Sequence, residues 1–278
     1  MKRITFLASI GIALVSFTSC EQDNRVAGCS DPFAINFNPN VQVSDDNGTC
    51  VYPIEQRIGF LTDFTATWCG PCGDWGAPAF KEANEQAGAS AYGMAVHAGG
   101  SLFACPESEA MNDAFGISGI PTLMANFETD ASSAGPLVSA VNSFITEKPE
   151  VSSAAIVDIK QNKVNVVAQA RWFAPMTGQV FLAVYVLEDS VLGDQNFTGG
   201  YQPFVHDHTL RMEATGSAFG TQVLNGEAWS GKTETIEMSF ELNSSWRKDK
   251  LTYITVLWRE GLSGKEFLNV SEAIPMVL

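Results

Sequence analysis

The sequence predicts an α/β domain followed by an all-β sandwich, and three observations predict it. A buried-looking strand runs straight into a C-x-x-C motif and then a helix. Apolar strands and helical stretches go on alternating to about residue 149. Beyond that point six or more strands follow one another, with turns between them and no helical period. The chain has 278 residues, 45% apolar and 17% charged, which suits two modest domains with real cores and excludes general disorder. Lys and Arg number 16 against 31 Asp and Glu, a formal charge of −15. Such a surface repels phosphate backbones, so nucleic acid is not an expected partner. Solenoid-length repeats are absent, and after the first twenty residues no apolar run is long enough to span a bilayer.

The N-terminal residues read as an address. Lys2 and Arg3 precede an almost unbroken apolar stretch over residues 4–17, too short to span a membrane but suited to a secretory signal. Phe17-Thr18-Ser19-Cys20 follows, then the polar run Glu21-Gln22-Asp23-Asn24. Small residues before a cysteine at this place resemble the lipobox of bacterial lipoproteins. That resemblance implies a signal peptide over 1–19, lipidation of Cys20, a tether over 20–28, and attachment to the outer membrane within the cell envelope. Several acyl chains make such anchoring stable where one would not. An ordinary signal cut near a free Cys20 is the other reading of the same residues.

Six cysteines are present: Cys20, Cys29, Cys50, Cys69, Cys72 and Cys105. An exported chain meets an oxidising compartment, so pairs are expected. Cys29 and Cys50 bracket an Asn/Asp/Pro-rich segment, within 29–52, that cannot build a core of its own. Its text, GCSDPFAINFNPNVQVSDDNGTCVY, resembles a short module of exported bacterial proteins usually closed by one disulfide, which implies a structural Cys29–Cys50 bond. Asp31, Asn36, Asn38, Asp45, Asp46 and Asn47 offer oxygen ligands, but the spacing of a Ca²⁺ loop is absent, and solvated turns are the expectation. Cys105 is left over, as a buried thiol or as a third participant in exchange.

Residues 58–66, IGFLTDFTA, read as a buried strand carrying one acid, Asp63. Thr67-Trp68-Cys69-Gly70-Pro71-Cys72 follows, then a helix over about 73–86 stopped by Gly88. A strand over 92–97, a helix over 107–115, Ile120-Pro121-Thr122, a strand over 123–127 and a last helical stripe of Leu137, Val141, Phe144 and Ile145 complete this part. A C-x-x-C at a helix start gives Cys69 the positive end of the helix dipole and free N–H groups, which stabilise its thiolate. Cys72, one turn in, is placed to resolve a mixed disulfide.

Strand, W-C-G-P-C, helix and a later Ile-Pro-Thr resemble the thioredoxin fold, over residues 53–149. The resemblance implies a protein disulfide oxidoreductase acting on cysteine-containing exported proteins without a cofactor. Cys69 would be the nucleophile and Cys72 the resolving thiol. Asp63 would be the buried acid that takes the resolving proton, since a core carboxylate has a raised pKa. Trp68, Pro71, Ile120 and a cis Pro121 would form the substrate-binding face, with the backbone of Ile120 offered to an extended segment. Pro78 lies six residues after Cys72, one more than that family's habit, so the helix start is expected to be remodelled. A static disulfide on the same scaffold is the competing reading. A zinc site there would need two further ligands, and only His97 and Cys105 are near in sequence.

In residues 150–278, strands are expected over 154–160, 164–172, 179–188, 208–214, 234–242 and 251–260. Hairpin turns are expected at Gln161-Asn162-Lys163 and at residues 261–265. VYVLEDSV, the loop to His206-Asp207-His208-Thr209-Leu210-Arg211 and the late YITVLWRE…KEFLNVSEA resemble the family named for a twenty-eight-kilodalton outer-membrane lipoprotein. Its members join a thioredoxin-like domain to such a C-terminal domain. His206 and His208 are two apart, which in a strand puts both on one face; a structural His–Arg–carboxylate network is expected there rather than a metal. Two functions remain: an envelope-tethered thiol–disulfide oxidoreductase, or a non-catalytic surface lipoprotein serving as adhesin or assembly subunit.

Overall fold

A computed structural model describes residues 27–44 and 49–276. The signal segment, the Cys20 lipid site and Asp45, Asp46 and Asn47 of the loop module lie outside the described residues. The module itself holds a two-residue parallel pair, β1 (Ala27–Gly28) with β2 (Val43–Ser44). Cys29 and Cys50 are joined in a disulfide with Cα atoms 4.9 Å apart. Its side-chain oxygens serve its own turns. Asp31 accepts from the Phe33 N–H at 2.9 Å and the Tyr52 hydroxyl at 2.6 Å, and Asn36 accepts from the Val51 N–H at 2.9 Å.

The next stretch forms β3 (Gly59–Thr65), a turn of wide helix over Cys72–Gly76, α1 (Ala77–Ala87), β4 (Ala91–His97) and α2 (Pro106–Ala114). β5 (Thr122–Ala125), a two-residue β6 (Thr129–Asp130) and α3 (Ala134–Phe144) complete it. β3 is buried at all seven positions, as its apolar run demands of a central strand. It pairs parallel with β4 and antiparallel with β5. The wide turn explains the extra residue before Pro78. The Ala77 N–H reaches back five residues to the Cys72 carbonyl, which absorbs one residue and sets Pro78 in the first turn of α1, where its missing N–H costs nothing.

Eleven more strands follow: β7 (Val151–Lys160), β8 (Lys163–Trp172), β9 (Met176–Glu188), β10 (Val191–Phe197), β11 (Gly200–His206) and β12 (Thr209–Glu213). Then come β13 (Thr221–Ala228), β14 (Thr233–Glu241), β15 (Leu251–Gly261), β16 (Gly264–Glu272) and β17 (Ile274–Pro275). Here the expected fold class is corrected. The chain does not form an α/β thioredoxin-like domain followed by a separate all-β sandwich. Strands hold 47% of the described residues and helices 18%, and one mixed sheet crosses both halves in the order β16-β15-β9-β12-β4-β3-β5-β6, with β13 also on β9. The junction is the outer edge of β4, where the Ala95 N–H donates to the His208 carbonyl at 2.8 Å and Thr209 of β12 lies beside Ala95. An open edge is a hazard that a later strand removes by pairing.

The cores follow this sheet. On one face α1 and α3 bury Leu61, Phe80, Leu123, Leu137 and Val141. On the other, Phe60, Phe64, Met94 and Val96 share a single cluster with Tyr185, Leu210, Ile254 and Trp258, so one aromatic core spans both halves. A second sheet, β14-β8-β7-β17, packs Val164, Val166, Ala168 and Ala170 against Val180, Leu182, Val184 and Val186 of β9. The second half is therefore β-rich and two-layered, with β9 buried on both faces. Among the described residues no helix is long and apolar enough to cross a membrane.

Candidate functional site

The site grows from the end of β3. Helical backbone begins at Gly70, directly after Cys69. Cys69 and Cys72 form a disulfide with Cα atoms 5.2 Å apart, and the Cys72 N–H points at Cys69 Sγ at 3.2 Å. That is the contact of a helix-capping side chain, and in the reduced form it favours the Cys69 thiolate. The pair is asymmetric: Cys69 is 5% exposed and Cys72 fully buried. Trp68 and Pro71 are exposed beside them, Trp68 held by its indole N–H on the Gly99 carbonyl at 2.9 Å.

Pro121 follows a cis peptide bond, and the Ile120 carbonyl lies 3.6 Å from Cys69 Sγ. The helix can approach this loop only because residue 76 is glycine, since a Cβ there would stand 2.6 Å from Pro121 Cβ. Asp63 is 2% exposed and shares with Leu61 the face of β3 that α1 covers. Burial pushes its carboxyl up to about 8, against the opposing hydrogen bond with Thr65. At neutral pH Asp63 therefore holds a proton under the helix that carries Cys72. Structure thus brings Asp63, Trp68, Cys69, Pro71, Cys72, Ile120 and Pro121 to one end of the sheet, and keeps Cys29–Cys50 in its own module.

Three residues of the site are not legible in the sequence. The hairpin β10–β11, paired from Val191/His206 to Phe197/Gly200, lies over the motif. Gln195, 3% exposed, donates through Nε2 to the carbonyls of Cys69 at 2.9 Å and Ala66 at 3.2 Å. Asn196 donates to the Trp68 carbonyl at 2.9 Å, and the Thr198 N–H donates to Asp74 at 3.1 Å. Gly73 lets the hairpin close in, because a Cβ there would meet the Asn196 carbonyl at 2.5 Å. The run Asp194-Gln195-Asn196-Phe197-Thr198-Gly199-Gly200 has the composition of a loop, and nothing in it points to residue 69.

His206 and His208 do not share a face. His208 has φ 55°, which turns the chain, and its Nδ1 lies 3.3 Å from Asp189. His206 instead turns inward against His97 and Phe103. Arg211 meets Glu188 at 3.1 Å. Cys105 is a half-buried free thiol at the start of α2, and burial pushes it up to about 11, so it is protonated and a poor nucleophile.

No protein-family model matches this chain, and no curated protein matches it. Solved structures do. HBP35 of Porphyromonas gingivalis superposes with a TM-score of 0.64 at 15% identity, over 82% of this chain and 79% of that one. A structural-genomics protein of Agrobacterium tumefaciens gives 0.49 at 14% identity, over 80% and 96%. A domain of the outer membrane lipoprotein Omp28 from Porphyromonas gingivalis gives 0.32 at 12% identity, over 46% and 92%. At such identity the first likeness is one of fold, and the other two are looser still.

Proposed function

We propose that the protein is tethered in the cell envelope through Cys20 and that Cys69–Cys72 exchanges disulfides with cysteines of exported proteins. The observation that carries this reading is the asymmetry of the pair: Cys69 capping the helix and edging on solvent, Cys72 buried one turn in. In the reducing direction the Cys69 thiolate attacks a substrate disulfide, and one substrate sulfur leaves as thiolate. Cys72 then attacks Cys69 Sγ, its thiol proton passing to Asp63 in the ionised fraction that a pKa of about 8 leaves near neutrality. The second substrate sulfur leaves, and the disulfide seen here is restored. The oxidising direction is the same path reversed. Trp68, Pro71, Ile120 and Pro121 line the face where an extended substrate segment would lie.

A specific observation favours the second reading, a non-catalytic surface lipoprotein acting as adhesin or assembly subunit. The hairpin ties down the motif through Gln195 and Asn196, while its outer face shows solvent Leu192, Tyr201 and Val205. Reduction of insulin by the full chain with dithiothreitol decides between them. Turnover that disappears in Cys69→Ser supports exchange. No turnover, with Cys69 and Cys72 both resistant to alkylation until the protein unfolds, leaves the surface reading.

A further inference from the structure

Away from the disulfide, three rings meet where β4 ends and β11 closes. His97 and His206 have ring centres 5.6 Å apart, and Phe103 packs against both, at 5.2 and 4.8 Å. His97 is 1% exposed and His206 7%. In each ring one nitrogen is engaged. His97 Nδ1 lies 2.8 Å from the Ser101 hydroxyl, which itself donates to Thr67 Oγ1 and so accepts the Nδ1 proton. His206 hydrogen-bonds the Gly193 carbonyl, and because its Nε2 has no partner, Nδ1 makes that bond. Both Nε2 atoms are buried without a hydrogen-bond partner among the described residues.

A buried polar atom without a partner costs about 1–3 kcal/mol, and a Phe or Leu would fill either place without that cost. Two such atoms on touching rings, each with its Nδ1–H fixed by an oxygen, is the tautomer and support found behind metal-binding imidazoles. The spacing fits. An ion about 2.05 Å from each Nε2 lies about 3.2 Å from each ring centre, so two rings sharing it stand between about 5.2 Å at a tetrahedral angle and about 6.4 Å in line.

We propose that His97 and His206 bind one Cu(I) ion through their Nε2 atoms. No three His, Cys, Asp or Glu among the described residues are arranged to hold a metal, which disfavours the closed four-ligand shell of structural zinc. Cu(I) accepts as few as two imidazoles, and its single charge is less opposed by the Arg211 guanidinium, which adds to the depression of the His97 pKa.

The test uses the full chain with Cys20 and Cys105 changed to Ser and both disulfides intact, titrated anaerobically with Cu(I) against bicinchoninate. One Cu(I) per chain should be withheld from the chelator, and His97→Phe and His206→Phe should each weaken retention at least about tenfold, as loss of one of two ligands requires. Should those variants fail to fold, X-ray absorption of the copper-loaded parent decides alone: nitrogen neighbours with imidazole scattering support the site. No retained copper, retention unchanged in both variants, sulfur in the first shell, or a preference for Zn²⁺ each overturns it.

Discussion

The molecule carries the same covalent bond in two settings, and the difference separates a staple from the pair proposed to react. Cys29–Cys50 closes a loop whose ends are 21 residues apart, in a module with two-residue strands and turns made by Asp31 and Asn36. That stretch has no hydrophobic cluster of its own, so the bond supplies what a core would. Cys69–Cys72 closes almost no loop and sits among packed neighbours, Ala66 with Ala98 and Ile120, at the start of a helix. Chain-entropy stabilisation grows with the logarithm of loop length, so the first bond contributes about 3 kcal/mol to folding and the second about 2 kcal/mol. What the second has instead is a capping N–H on one sulfur, burial of the other and a proton held on Asp63.

The largest expected effect breaks the symmetry of the second pair. With reduced protein at neutral pH, iodoacetamide should modify Cys69 well before Cys72. Cys72→Ser should trap a mixed disulfide with a peptide disulfide at least about tenfold more than Cys69→Ser, because only Cys69 has both solvent and a donor on its sulfur. Mass spectrometry of the trapped adduct reads this directly. Equal labelling at the two positions would remove the assignment of Cys69 as nucleophile.

Next in size is the staple. Replacing Cys29 and Cys50 by Ser should cost the module about 3 kcal/mol, seen as faster amide exchange over residues 27–52. The rest of the molecule should melt at an unchanged temperature, since its cores contain no module side chain. A drop in the main transition would mean that the module braces the sheet.

Asp63→Asn should act in the opposite direction. The folded-state pKa of Asp63 is raised to about 8, so between about pH 4 and pH 8 the folded chain holds a proton that the unfolded chain has released. Stability therefore falls as pH rises through that window, and the Asn variant escapes the fall. By pH 8 it should be more stable than the parent by several kcal/mol, and indistinguishable near pH 4. Urea titrations at both pH values check this. The same change should slow resolution of a Cys69 mixed disulfide, which the static pair Cys29–Cys50 cannot show.

The parts of this comparison differ in how legible they are. β3, the motif, α1 and the stripe of Leu137 and Val141 could be read because each signal is local: an apolar run, a spacing, a helical period. β7, β8, β9, β14 and β15 were readable for the same reason, and the turn at Gln161 lies where its residues suggest. The strands β10, β11, β13 and β16 were not, because Gly, Asn, Gln and Thr in them carry little apolar alternation and their order comes from partners far along the chain. The sheet is continuous across the two halves through one strand junction, Ala95 with His208 and Thr209, more than a hundred residues apart. No local pattern encodes such a meeting, so the sequence reads as two units where the sheet makes one. The seven residues expected at the site do converge; the hairpin over them was invisible for the reason just given.

The smallest effect concerns that hairpin. Gln195 Nε2 faces three carbonyls, those of Ala66, Cys69 and Asn196, at 3.2, 2.9 and 3.1 Å. Gln195→Ala removes the donor while the Cys69 and Ala66 carbonyls stay in place, at a cost of about 1–2 kcal/mol. For a chain of this length that lowers the melting point by about 2–4 °C per kcal/mol. The change also reaches the chemistry, because the hairpin is tied to the motif through few bonds. Loosening one should let solvent and reagent reach Cys69 more often, so its alkylation in the reduced protein should quicken about two- to fivefold, part of the five- to thirtyfold that about 1–2 kcal/mol would allow. Reduction of Cys29–Cys50, measured in the same sample, should not change, since among the described residues no hydrogen bond joins the hairpin to that module. An unchanged Cys69 rate in a folded Gln195→Ala protein would make the hairpin a support for the turn and not a cover over its sulfur. The exchange reading would then lose its control element and keep its reacting pair.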